Sequence, residues 1–174
     1  MTVALDGESL APEDVVAVAR DGEPAEVPDD ARERIRASRE RVADVVDSGE
    51  AVYGLNTGFG DLVTERIPRE DVETLQTNLL RSHAAGAGRE CTREEVRAML
   101  VTRVNALAKG YSGIRERVVD HLLALLNEGV HPVVRSRGSL GASGDLAPLA
   151  HLALVLIGEG EAHVEPPAGG PPAE

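Results

Sequence analysis

Residues 138–149 read Gly138-Ser139-Leu140-Gly141-Ala142-Ser143-Gly144-Asp145-Leu146-Ala147-Pro148-Leu149. At their centre, Ala142-Ser143-Gly144 is raw material for an electrophile made from the backbone itself. Attack of the Gly144 amide nitrogen on the Ala142 carbonyl, with loss of water, closes a five-membered ring; dehydration of Ser143 then leaves an exocyclic methylene. Each residue type is required: Ala142 lets the backbone pinch together, Ser143 brings the departing hydroxyl, and Gly144 has no side chain to shield its nitrogen. Taken alone, the tripeptide reads far more readily as an ordinary glycine-rich turn ahead of a helix, since such loops are common. Its surroundings therefore matter. Asp145 suits an N-cap, Pro148 is tolerated in a first turn, and Leu146 to Ile157 is apolar almost all round, interrupted only by His151. That pattern predicts a helix buried among other helices, with Ser143 just ahead of its positive end, where negative charge developing on the ring is stabilised.

Working outward, the rest of the chain also reads as mainly helical. A short strand at Val3 to Leu5 precedes a helix from Pro12 to Arg20. Ala31, Ile35, Val42, Val45 and Val46 form the apolar stripe of a longer helix that starts near Pro28 and Asp29 and ends at Gly49. The loop Tyr53-Gly54-Leu55-Asn56-Thr57-Gly58-Phe59-Gly60 interrupts the pattern before Pro68 opens another helix, on which Val72, Leu75, Leu79 and His83 share a face. Thr92 and Glu95 form a capping-box signature for a helix carrying Val96, Met99, Leu100, Val104 and Leu107, with Gly110 as its stop. A further helix over 113–127 places Ile114, Val118, Leu122 and Leu125 inward and stops at Gly129. Residues 161–174, rich in Pro and Gly, read as a disordered tail following a helical domain over 1–160.

Composition bounds the function. The 174 residues suffice for one domain with a real core, and 30 acidic against 18 basic residues leave a formal charge of -12. That sign argues against nucleic acid or an anionic membrane as a partner. Lys109 is the only lysine, and an acidic surface that uses arginine instead fits a salt-rich cytoplasm, where screening weakens self-repulsion. Cys91 is the only cysteine, so neither an internal disulfide nor a cysteine-based metal site is expected. The N-terminus lacks the basic start and long apolar core of a secretory signal, and the apolar run from Leu152 to Ile157 is too short to span a bilayer; a cytoplasmic location is the default. His121, His131, His151 and His163 lack paired ligand spacing and read as structural. A glycine-loop anion site at 138–144 lacks the lysine of a phosphate-binding loop.

The run from Gly138 through His151 resembles the signature of the aromatic amino acid lyases, the family of histidine and phenylalanine ammonia-lyases. Three further stretches resemble the same family: the loop from Tyr53 to Gly60, the segment Leu75-Gln76-Thr77-Asn78-Leu79-Leu80-Arg81-Ser82-His83-Ala84-Ala85-Gly86, and Asn105 to Arg115. The resemblance implies the N-terminal part of the multi-helical lyase fold, without most of its central bundle of long helices. It also implies a self-made methylidene-imidazolone (MIO) prosthetic group at Ala142, Ser143 and Gly144, with no metal and no diffusible cofactor.

By the same resemblance Tyr53 is the catalytic base. Its ordinary pKa of about 10 would have to be lowered by nearby positive potential. Ser82, His83 and Gly60 contact substrate, and the pair Ser82-His83 is the one histidine-specific members carry. The implied reaction is elimination of ammonia from L-histidine to give trans-urocanate, with the amine added to the ring's methylene and His83 holding the imidazole. Family members are considerably longer and tetrameric. Their later parts supply an asparagine, a second tyrosine, an arginine and a glutamate to the site, none of which can be assigned here. The partner is then a further copy in a homo-oligomer or a complementing C-terminal half; alternatives are another MIO enzyme (a phenylalanine or tyrosine ammonia-lyase, or an aminomutase) or an inactive module that assembles with a longer lyase.

Overall fold

The computed structural model describes residues 1–48, 52, 71–138 and 146–165. Among these described residues, six helices carry the architecture: α1 (Pro12–Ala19), α2 (Asp29–Ser48), α3 (Val72–His83), α4 (Arg93–Ala108), α5 (Glu116–Asn127) and α6 (Leu146–Leu156). Between them run short strands: β1 (Val3–Ala4), β2 (Ala25–Glu26), β3 (Ala87–Glu90), β4 (Val130–Pro132), β5 (Arg135–Arg137) and β6 (Ala162–Val164). They form three two-stranded pairs, β1 with β2 in parallel and β3 with β5 and β4 with β6 antiparallel. Strands this short do not stand alone, and here they clip helix ends together.

The core is built around α4. The expected capping box starts it: Thr92 Oγ1 accepts from the Glu95 amide at 3.3 Å, and Glu95 Oε2 accepts from the Thr92 amide at 2.7 Å. The Arg89 guanidinium forks onto the same Glu95 carboxylate and, with the Thr92 amide, holds its pKa down at about 2. From there Val96, Leu100, Val101, Val104 and Leu107 are buried against α1, α2 and α5, together with Leu5, Val18, Ile35, Val119 and Leu126. A buried charge joins them. Arg97, 3% exposed, donates from Nε to Val18 O at 2.9 Å and from Nη1 to Leu126 O at 2.7 Å, so one guanidinium binds carbonyls in the last turns of both α1 and α5. Those carbonyls lack a partner further along their helices and carry the negative end of the helix dipole, which makes them suitable acceptors for a cation. At the surface, Arg32 reaches Glu116 at 3.0 Å and Asp120 at 2.7 Å, tying α2 to α5.

The structure departs from the sequence reading in three places. The fifth helix starts at Glu116 rather than at residue 113, because Gly113 adopts φ +60° and donates to Ser38 Oγ at 3.0 Å; a Cβ there would lie 2.2 Å from Val42 Cγ2. Residues 162–164 are not disordered, since β6 pairs with β4 from Val130↔Val164 to Pro132↔Ala162 and Glu165 forms an ion pair with Arg93. Finally, α6 is covered on one side only. Ala147, Ala150 and Leu152 are buried, whereas Leu146 and Ile157 are 41% and 42% exposed, because among the described residues its neighbours are α3, α5, β4 and β5. The expected helix start at Pro68 and the Asp145 cap lie outside the described residues. Among the described residues, no helix is long and apolar enough to cross a membrane.

Candidate functional site

Two of the expected site residues, Ser82 and His83, form the C-terminal end of α3. Three hydroxyl and imidazole contacts lock them. Ser82 Oγ donates to Leu79 O at 2.9 Å, His83 Nδ1 lies 2.8 Å from the same carbonyl, and the two side chains are 3.0 Å apart. A carbonyl only accepts, so this geometry assigns the ring proton to Nδ1 and leaves Nε2 of the neutral ring as an acceptor. Beyond α3, Arg81 grips Glu159 through two nitrogens, with Nε 3.0 Å from Oε2, fastening this helix to the turn after α6. Both side chains are substantially exposed, and their hydrogen bonds raise the arginine pKa and lower the carboxylate's.

The chain then uses β3 and β5 to bring the segment after α3 to Gly138 and the first turns of α6. After His83 the segment 84–86 runs into β3, which pairs with β5 at Ala87↔Arg137 and Glu90↔Arg135. Because the pairing is antiparallel, the start of β3 lies beside the end of β5, and the next residue is Gly138. A Cβ on Gly138 would be 2.7 Å from the Ala147 Cβ and 3.3 Å from Ala85 O. A Cβ on Gly86 would be 2.6 Å from His151 Cε1 and 2.7 Å from the Arg135 Cβ. At both contacts a side chain would overlap its neighbour, so glycine is what lets the segment after α3, the end of β5 and the first turns of α6 touch. Ala142, Ser143, Gly144, Tyr53 and Gly60 lie outside the described residues.

His151 belongs to this junction, although the sequence marked it only as structural. It is half-buried on α6, with Nδ1 lacking a hydrogen-bond partner among the described residues. Burial lowers its pKa, the Ala84 carbonyl pulls it back up, and Arg135 lowers it further. The sequence signal for it is weak: a single polar residue in an otherwise apolar helix. Arg135 is half-buried and lies 3.4 Å from Glu90, while Arg137 is exposed.

A second histidine cluster lies at the β4–β6 pair. His131 is 4% exposed, and its Nε2 sits 3.2 Å from Glu165 Oε1 without hydrogen-bond geometry. Burial pushes its pKa down, while Arg93 holds that of Glu165 down. These groups line a cavity of about 270 Å³ together with Cys91, Val96, Pro132, His163 and Val164. The Cys91 thiol is raised by burial, which makes it a poor nucleophile. Among the described residues no group of three His, Cys, Asp or Glu side chains is arranged to hold a metal ion.

Comparison with known proteins gives this junction a context. The probable histidine ammonia-lyase of Halobacterium salinarum is 66% identical over 162 residues, which is 93% of this chain and 31% of that protein. The structure of histidine ammonia-lyase from Trypanosoma cruzi superposes with a TM-score of 0.84 at 43% identity, over 94% of this chain and 32% of that one. A tyrosine aminomutase from Streptomyces globisporus superposes with a TM-score of 0.87 at 38% identity, over 93% and 30%. The chain thus spans about a third of the length of the relatives it matches. Residues 10–170 match the aromatic amino acid lyase model, and with the helical architecture in agreement the chain belongs to the aromatic amino acid lyase family, whose fold it reproduces in its N-terminal portion.

Proposed function

We propose that this chain is the N-terminal portion of a histidine ammonia-lyase, acting on L-histidine to release ammonia and trans-urocanate. The observation that carries the reading is the approach of Ala85 and Gly86, just beyond His83 at the end of α3, to Gly138, which itself meets Ala147; Gly138 and Ala147 stand on either side of Ala142-Ser143-Gly144 in the chain. The residues present suit a backbone-derived MIO ring: the tripeptide has the required chemistry, and Gly138 and Ala147, on either side of it in the chain, lie in close approach. When formed, that ring supplies an electron-poor methylene that accepts the substrate amine. His83 Nε2 accepts the N–H of the substrate imidazole and fixes the ring's orientation, its own tautomer held by Leu79 O. Ser82 braces His83, Gly60 borders the substrate, and Tyr53 takes the β-proton. The negative charge that develops is stabilised by the N-terminus of α6, which starts three residues after Ser143. The working enzyme is a cytoplasmic homotetramer in which other segments complete the site.

The likeness to tyrosine aminomutase favours one second reading, a 2,3-aminomutase that uses the same ring. The test joins this chain to the C-terminal remainder of the Halobacterium relative and offers L-histidine, L-tyrosine and L-phenylalanine. Urocanate from histidine alone, with the intact mass lower by two waters and both properties lost in Ser143→Ala, supports the lyase. A β-amino acid product supports the aminomutase, and no turnover of histidine removes the first reading.

A further inference from the structure

We propose that His151 is a positioning residue that sets the placement of His83 relative to Gly138 and Ala147, a role that rests on His83 being the substrate-orienting group. Three observations converge on it. Its Cε1 occupies the space directly against Gly86, 2.6 Å from where a Cβ would stand, so the ring is wedged against the segment that leaves α3, three residues beyond His83. On α6 it lies one turn after Ala147, and Ala147 is the residue that meets Gly138. Its Nδ1 is buried without a hydrogen-bond partner among the described residues, an arrangement that core packing alone does not favour over an aliphatic side chain. The imidazole is thus a spacer between two backbone segments: beneath it α6 starts, and above it the His83 end of α3 continues into β3. Shape is what the role requires, because the contact with Gly86 is made by a ring carbon.

The ring's surroundings favour its neutral form. Burial outweighs the Ala84 carbonyl, and the Arg135 guanidinium acts in the same direction as burial. A neutral, rigid ring keeps a fixed thickness, which a flexible side chain of similar size lacks.

The test follows the imidazole resonances of His83 in the 174-residue chain for the native protein, His151→Ala and His151→Phe, together with kcat and KM for histidine in the chain completed by the C-terminal remainder. His151→Ala is expected to shift the His83 resonances and to lower kcat/KM about tenfold, mostly through KM. His151→Phe, which restores a flat ring against Gly86, is expected to recover both. His83 resonances that stay in place in His151→Ala, or that remain displaced in His151→Phe, overturn the proposal, as does loss of the folded state in both variants, which would make the ring a core filler. The resonances are read without substrate, so they report on His151 even if histidine is not turned over. In that case coupling between the two histidines with no turnover would remove the substrate reading and leave the spacer standing.

Discussion

α4 and α6 are both rich in apolar residues, yet their surroundings differ. α4 is capped at Thr92, carries an arginine that serves two neighbouring helices, and is buried against α1, α2 and α5. α6 is the more apolar in sequence, but only Ala147, Ala150 and Leu152 are buried. Hydrophobicity states how much burial a helix can use; neighbours decide how much it receives. The α4 region is a self-sufficient core within this stretch of chain, whereas the α3–α6 region, where Ser82 and His83 lie, leaves apolar surface uncovered among the described residues.

That contrast can be broken or sharpened by mutation. The largest effect is expected from Leu100→Ala: the side chain is fully buried, and its loss should cost about 3 kcal/mol in a denaturant titration, while Leu154→Ala on half-buried α6 should cost about 1 kcal/mol. Equal costs would erase the difference between the two helices. Arg97→Met comes next. It strips donors from Val18 O and Leu126 O, and relief from burying a charge offsets only part of that loss, so a net cost of about 2 kcal/mol is expected. Thr92→Ala removes one half of the capping box and should cost about 1 kcal/mol, with Thr92→Ser recovering most of it.

The fourth prediction concerns pH. His131 and His151, one in each region, have lowered pKa values because burial disfavours the charged ring. The unfolded chain therefore takes up these protons first, and stability should fall as pH drops below the ordinary imidazole value of 6.5 through the lower folded values. His131→Phe and His151→Phe should each flatten part of that slope, measured as denaturation midpoint against pH; a slope unchanged in both variants would place the sensitivity elsewhere. Glu165 adds a separate term in the opposite part of the range. Its pKa is lowered by Arg93, so its contribution persists until pH falls below the ordinary carboxylate value of 4.5. The smallest effect belongs to Arg81→Ala. The Arg81–Glu159 pair is exposed, so its loss should lower the denaturation midpoint the least of these variants, and the difference should vanish at high salt.

Much of the helical frame was legible in advance because its signals are local. The Thr92–Glu95 box marks its own helix start, Gly110 and Gly129 mark stops at φ +76° and +69°, and the stripe through Ala31 and Ile35 repeats at the helical period. The strands were not legible beyond the first, because segments such as Arg135-Ser136-Arg137 have neither alternation nor β-branched residues, and pairing across distant parts of the chain holds them. Nor does position 97, an arginine inside an apolar helix, announce that it will be buried. Its acceptors are two helix ends brought to it by packing.

What the sequence determined by itself was chemical: an Ala142-Ser143-Gly144 tripeptide, a Ser82-His83 pair, a net negative charge and a mainly helical chain. These properties depend on residue identity and near neighbours. What only the tertiary structure decided was which distant groups meet: Ala85 and Gly86 with Gly138, His151 with Gly86, and Arg97 with two helix termini. The reason is that such contacts arise when antiparallel β3–β5 pairing and helix packing close long loops. Their free energy belongs to the assembled core, and no short window of sequence carries it.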